Sequence, residues 1–403
     1  MKFNLNSFLL ATSVALDYAE KEILNTTTHH SKRCAYISLR IGLELGLSQE
    51  ECFDLCSLAL MHDSGITQAF YNQDLLKPGE KKNLLYLEKF LEHPRIGEKN
   101  VEEFPFLTSP KNVILYHHEY LDGSGHYGVE GKDIPLMAQI IGFADDIDKK
   151  FNLLDSNIDS LREVHRFVQE GRGRLYSEEI VDTFSILSDK ISFWRDLCEE
   201  NLISSIETYL PQIENSLELS DLLHISFVFS KIIDAKSPST AAHSNALMSK
   251  AKDVAKFLDW DYEKSIYFQI AANLHDIGSL GTPRKILKKE HSLGFDEFEE
   301  VKLHVQLTHT ILKSITGFEK VCQWASRHHE RIDGSGYPFG ITKEELCFES
   351  KLLACLDVYQ ALLEERPHRK EHSHEEAIEI LYEHVQKKLF EKEIVDLIVT
   401  VFS

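Results

Sequence analysis

His328-His329-Glu330-Arg331-Ile332-Asp333-Gly334-Ser335-Gly336-Tyr337-Pro338 joins two adjacent imidazoles and an acid to a glycine-rich turn closed by Tyr-Pro. Adjacent imidazoles suit a metal centre, and the Asp-Gly-Ser-Gly run lets the backbone turn tightly and approach a ligand. A less complete version stands upstream, His117-His118-Glu119-Tyr120-Leu121-Asp122-Gly123-Ser124-Gly125-His126-Tyr127.

Working outward from this pair, the echo becomes a pattern. His117-His118 and His328-His329 are 211 positions apart, as are His93 and His304. His30 and His243 are separated by 213, His62-Asp63 and His275-Asp276 also by 213, and Asp145 and Asp357 by 212. Glu179-Ile180-Val181-Asp182 returns as Glu393-Ile394-Val395-Asp396, and Ser7-Phe8-Leu9-Leu10 faces Ser220-Asp221-Leu222-Leu223. This is a duplicated domain, not a short-period solenoid. The division is expected near 200–215, with Pro211 in the junction, giving domains over 1–200 and 215–403.

Apolar spacing predicts helices and little else. Leu55, Leu58, Ala59 and His62 fall at i, i+3, i+4 and i+7, and Phe268, Ala271, Ala272 and His275 repeat the pattern, so both histidines point inward with apolar neighbours. Ser48-Gln49-Glu50-Glu51 reads as a capping box. Helices are expected over 7–25, 31–46 and 83–104, on the approach to His117, after Pro135, and through 155–215. The fold class is all-α, as two tandem helical bundles. The helix near 196–215 reads as an intramolecular linker, with a homodimer through it as the open alternative.

Composition narrows the function. A formal net charge of −21 disfavours a nucleic-acid polymer or an anionic membrane as partner. No leader and no long apolar run is seen, so the chain reads as soluble and cytoplasmic. The seven cysteines include no C-x-x-C pair and read as buried reduced thiols. The 20 histidines are unusually many, and the repeat accounts for half of them. His165, His224, His291, His368, His372, His374 and His384 read as ordinary core or surface residues.

Each half supplies five histidines and two aspartates in the same order. Imidazole and carboxylate ligands suit Fe, Mn, Zn or similar ions. Seven ligands exceed the needs of a mononuclear catalytic zinc site and fit a two-metal site with a shared carboxylate.

The chain resembles the HD superfamily of metal-dependent phosphohydrolases, and its second half is similar to the HD-GYP subgroup. The residues that carry this are His243-Ser244, His275-Asp276-Ile277-Gly278, Gly281-Thr282-Pro283 with Ile286-Leu287, and His304 before Ile311-Leu312. They continue with His328-His329-Glu330, Asp333 to Pro338, Asp357-Val358-Tyr359 and Arg366-Pro367-His368-Arg369. The first half resembles a divergent copy through His30-Ser31, His62-Asp63, His93-Pro94, His117-His118-Glu119 and Asp145.

The resemblance implies a bacterial signalling phosphodiesterase whose substrate is a 3′,5′-linked cyclic dinucleotide, either cyclic di-GMP or 3′3′-cyclic GMP-AMP. It implies two divalent ions, Fe, Mn or similar, held by His243, His275, Asp276, His304, His328, His329 and Asp357, with His275 and Asp276 at the catalytic centre. A second site of the same kind would comprise His30, His62, Asp63, His93, His117, His118 and Asp145. Tyr337, Pro338, Arg366 and Arg369 match substrate-side positions. Ser279 stands there too, where the family commonly has Lys, and Ile66 takes that place in the first half. The acid that often precedes the first ligand by four positions is absent, with Thr26 and Ser239 there instead, which argues for two ions over three. Gln360 replaces a second Asp after the last ligand, and the first half lacks both Tyr-Pro and the paired arginines. Two other readings stay open: an HD-type hydrolase of another nucleotide or phosphoester, and an inactive HD protein that binds a signal molecule or partner.

Overall fold

The computed structural model describes residues 3–71, 82–151, 153, 158–213, 217–236, 243–289, 291–365 and 370–402. Among these residues the regular structure is helical, and the only extended pairings outside it are isolated bridges such as Asp333 with Thr342. The all-α expectation holds. The chain forms two compact units, Lys2–Ser216 and Leu217–Ser403. No helix among the described residues is long and apolar enough to cross a membrane.

The first unit runs through helices Leu5–Leu24, His30–Glu44, Gln49–Met61, Ile66–Tyr71, Lys82–Val101, Leu136–Lys150, Ile158–Gly171, Glu178–Ser188, Ile191–Asp196 and Glu199–Tyr209. At its centre His30–Glu44 packs against Gln49–Met61 and Leu136–Lys150. Every residue from His30 to Gly42 is buried, including Lys32, Arg33 and Arg40. A helix enclosed on all sides has no solvent face for its charges, so each must find a partner inside. Ser48 and Glu51 form the predicted reciprocal cap, which sets the phase that carries His62 to the buried end of Gln49–Met61.

The second unit repeats the plan with Leu219–Lys236, His243–Phe257, Tyr262–Leu274, the 3₁₀ turn Ile277–Gly281, Arg284–Leu287, Phe295–Lys313, Glu319–Ala325, Phe348–Leu362, His374–Gln386 and Lys392–Phe402. Here His243–Phe257 lies against Tyr262–Leu274 and Phe348–Leu362.

Two expectations change. Glu199–Tyr209, read from sequence as part of a linker, packs into the first unit, where Leu202 and Ile206 are buried and the Arg40 guanidinium lies 3.9 Å over the Tyr209 ring. The approach to His117 is a series of turns and not a helix. Asn112 sits at positive φ just after Pro110, and the Glu98 carboxylate accepts the amides of Asn112, Ile114 and Leu115. A side chain thus takes the hydrogen bonds that a first helical turn would leave open.

Candidate metal centre

In the second unit all seven predicted ligands converge. His243 opens one helix, His275 caps the end of Tyr262–Leu274, and Asp276 follows it. His304 lies within Phe295–Lys313, Asp357 within Phe348–Leu362, and His328-His329 on the turn after Glu319–Ala325. His243 Nε2 stands 3.2 Å from Asp357 Oδ1, and His275 Nε2 stands 3.9 Å from the same oxygen. Asp276 faces two ways: Oδ2 is 3.5 Å from His275, while Oδ1 is 3.2 Å from His304 and 3.5 Å from His328. His329 stacks beside His328, with ring centres 4.1 Å apart. His243, His275 and Asp357 form one group, His304, His328 and His329 another, and Asp276 lies between them.

Gly278 makes this convergence possible. A Cβ there would stand 2.0 Å from the His304 carbonyl oxygen, and Gly65 has the same relation to His93 at 2.2 Å. Only glycine lets the turn after the His-Asp pair lie this close to the next ligand helix.

The ring tautomers follow from the backbone. His275 Nδ1 donates to the Ala272 carbonyl at 2.8 Å, His328 Nδ1 to Ala325 at 2.6 Å, and His304 Nδ1 to Val301. A carbonyl only accepts, so the proton sits on Nδ1 and the Nε2 lone pair faces inward. His62, His93 and His117 repeat this with Ala59, Phe90 and Ile114. His275 Nε2, His328 Nε2 and Asp276 Oδ1 are buried without a hydrogen-bond partner. Lone pairs of nitrogen and carboxylate oxygen thus face one another across 3.2–3.5 Å. Such a donor set calls for a cation, and its chemistry fits a divalent metal.

The first unit brings its seven together too. His30 Nε2 is 3.1 Å from Asp145, His62 Nε2 is 3.5 Å from Asp145, and His93 Nε2 is 3.0 Å from Asp63. His117 and His118 lie 3.8 and 3.7 Å from Asp63 and Asp145. Access separates the two units. The Asp63 and Asp145 side chains are 0% exposed, whereas Asp276 is 26% and Asp357 12% exposed. In the first unit Phe90 packs against His93 and His118, and His126 stacks on His118 at 4.7 Å. Among the described residues, the carboxylates of the second centre are thus the more open to solvent.

Several residues that sequence reasoning missed hold these ligands. Asp148 takes the His30 Nδ1 proton at 2.7 Å, and Glu364 takes that of His243 at 3.0 Å. Burial alone would lower His243, but its bonds to Asp357 and Glu364 outweigh this and push it up to about 10. Gln360, the departure from the family pattern, donates to Glu364 at 2.6 Å and so braces it. Replacing Glu364 by Ala is expected to weaken metal affinity by about 10–100-fold, read by competition with a chromogenic chelator. Cys34 also enters the first cluster, its Sγ 3.8 Å from both His30 nitrogens, and burial pushes this thiol up to about 12. Glu20 and Asp234, reached from the preceding helix, bond Ser31 and Ser244 beside the first histidines, where Asp17 holds Ser31 more closely, at 2.8 Å. Burial pushes Glu20 and Asp234 up to about 8 and about 7.

The acid of each His-His-Glu triplet shapes the turn. Glu330 accepts the amides of Phe339 and Ile341, and Glu119 those of Tyr127 and Val129. Asp333 bonds the amide and hydroxyl of Ser335, as Asp122 does for Ser124. The turn delivers Tyr337, which precedes a cis bond to Pro338, onto His329 with ring centres 4.8 Å apart. Ser279 lies partly exposed in the 3₁₀ turn beside Asp276, and Ile66 is buried. Arg366 and Arg369 lie outside the described residues.

The HD domain model matches residues 19–153 and 227–394, three quarters of the chain in two copies. The chain belongs to the HD domain family. Within this family it is 28% identical to 3′3′-cGAMP-specific phosphodiesterase 1 of Vibrio cholerae serotype O1, across 98% of this chain and 91% of that protein. It is 26% identical to 3′3′-cGAMP-specific phosphodiesterase 3 of the same organism, across 95% and 91%. A cyclic di-GMP phosphodiesterase response regulator of Xanthomonas campestris pv. campestris is 33% identical over 41% of this chain and 44% of its own. The HD fold spans the chain: the crystal structure of a cyclic GMP-AMP specific phosphodiesterase from V. cholerae covers 100% of it and 98% of that structure, with a TM-score of 0.69 at 23% identity.

Proposed function

We propose that the second unit is a metal-dependent phosphodiesterase that opens a 3′,5′-linked cyclic dinucleotide, with 3′3′-cyclic GMP-AMP preferred and cyclic di-GMP as the runner-up. One observation carries the assignment: Asp276 stands between two histidine groups with its side chain partly open to solvent, whereas its counterpart Asp63 is sealed. The preference is supported by relatives named for 3′3′-cGAMP, which align along almost the whole chain, while relatives named for cyclic di-GMP align over 32% to 65% of it.

We assign two ions, Fe, Mn or similar, to His243, His275 and Asp357 on one side and His304, His328 and His329 on the other, with Asp276 shared. When bound, they supply Lewis acidity toward phosphate oxygens and activation of water. Hydrolysis forms one P–O bond from water, breaks the P–O3′ bond and leaves the proton on O3′, giving a linear dinucleotide. The chain's own residues hold the substrate. Phe298 and Tyr337 meet edge to face at 6.3 Å beside His329, and Lys302 lies 4.8 Å over the Phe298 ring. This ledge suits a purine stacked near the cleaved phosphate, with Lys302 as a phosphate contact; the family resemblance alone adds Arg366 and Arg369 in that role. Stacking of one base is worth about 1–3 kcal/mol, so Phe298→Ala is expected to raise KM about 5–150-fold with kcat little changed, measured by initial rates.

A panel of cyclic dinucleotides with Mn²⁺ or Fe²⁺, read by linear product, tests the assignment. Cleavage confined to cyclic mononucleotides or nucleoside triphosphates would move the protein to a different nucleotide hydrolase. Binding of a cyclic dinucleotide by metal-loaded protein without cleavage would leave the inactive-receptor reading.

A further inference from the structure

The two units differ in charge where their ligand sets otherwise match. In the first, Lys149 lies one helical turn after Asp145, and its Nζ sits 3.2 Å from Asp63 Oδ2 and 3.0 Å from Asp145. The ammonium joins the two ligand carboxylates across the middle of the cluster. The matching position in the second unit, 212 residues on, is Ala361. No lysine or arginine pairs with Asp276 or Asp357 among the described residues.

The same substitution of side-chain charge for an ion extends around the first cluster. The Arg33 guanidinium bonds Asp148 through Nε at 2.5 Å and Nη2 at 2.8 Å, and Lys32 Nζ is 3.5 Å from Asp17. Both side chains are essentially inaccessible, at 1% and 0%. Their counterparts 213 residues on are Ala246 and Asn245. Four buried carboxylates of the first unit, Asp17, Asp63, Asp145 and Asp148, are therefore met by a base belonging to the chain. A divalent ion between Asp63 and Asp145 would have to displace the Lys149 ammonium or stand against its like charge. Lys149 Nζ also lies 5.8 Å from the Phe90 ring centre.

We propose that Lys149 is a resident cation that occupies the bridging position between Asp63 and Asp145, so that the first unit keeps the metal-ligand residues but holds no metal pair. This concerns the first unit alone and leaves the assignment of chemistry to the second unit intact whichever way it falls.

The test counts metal on the full-length chain purified without oxygen, by inductively coupled plasma mass spectrometry. In a chain carrying H275A and D276A, Lys149 is expected to leave almost no tightly bound ion. Adding K149A, which installs the second unit's residue, is expected to restore about one ion per chain and to make the melting temperature rise with Mn²⁺ and fall with chelator. K149R keeps the charge and is expected to restore none. Should K149A fail to fold without metal, the reciprocal A361K in the otherwise native chain gives the answer: bound metal is expected to fall by half or more. The proposal is overturned if K149A and K149R bind equally, or if A361K retains the native count.

Discussion

Replacing His275 and Asp276 together by alanine is expected to abolish cyclic-dinucleotide turnover while the first unit's cluster stays intact. Asp276 contacts both histidine groups, through Oδ2 on one side and Oδ1 on the other, so its loss separates the two halves of the centre. Losing metal stabilisation of a phosphoryl transition state removes at least ~4 kcal/mol, a fall of about a thousandfold in kcat. The milder Asp276→Asn keeps the shape and removes the charge, and is expected to lose bound metal as well. By contrast, Asp63→Asn in the sealed first unit is expected to leave kcat within about a factor of three. Single-turnover assays with bound-metal counts separate these effects from misfolding, which circular dichroism monitors. Turnover within tenfold of native in the double variant would place the chemistry elsewhere.

Gly278→Ala is expected to damage stability and catalysis together. The added Cβ would meet the His304 carbonyl oxygen at 2.0 Å and the Thr308 amide nitrogen at 2.7 Å, both backbone atoms that cannot rotate aside. The contact is pinned further by Thr308 Oγ1, which bonds the Gly278 amide at 3.0 Å and the His275 carbonyl at 3.1 Å. To admit one methyl group, the turn must move off the helix, and Asp276 moves away from His304 with it. Overpacking of this kind costs about 3 kcal/mol. Displacing a catalytic group by about 1 Å costs on the order of a hundredfold in rate. Gly294→Ala is the control, since its Cβ would meet only the Glu297 carboxylate, at 3.5 Å, and it is expected to cost under ~1 kcal/mol. Denaturant melts and initial rates report both quantities. A Gly278→Ala protein with native stability and rate would refute the close-approach argument.

The parts of this molecule that were legible in sequence are those set by local rules. Helical spacing carried His62 and His275 inward, Ser48 and Glu51 marked a helix start, and the recurrence of His-Asp and His-His-Glu after about one domain length paired the ligands. What escaped depends on where helices pack. Asp148 and Glu364 do the same work in the two units, yet they lie three and seven residues after their ligand aspartates, so no fixed offset connects them. Lys149 and Arg33 look like ordinary basic residues until the enclosure of His30–Glu44 gives them buried acids to meet. The turn at 112–118 was read as a helix because nothing nearby in sequence announces that Glu98 will take its amides.

The bonds from histidine Nδ1 to the carbonyl three residues earlier have an evolutionary consequence. In many metal sites a carboxylate elsewhere in the chain must orient each imidazole, and the two must then change together. For three histidines of each unit the orienting acceptor is main chain, present whatever residue occupies that position, whereas His30 and His243 rely on the Asp148 and Glu364 carboxylates. Phe90 and Val301 serve equally, as do Ile114 and Ala325, and Ala59 and Ala272. After duplication the neighbours of each histidine were thus free to diverge without turning its ring. One copy could acquire internal bases and close over while these imidazoles kept their aim.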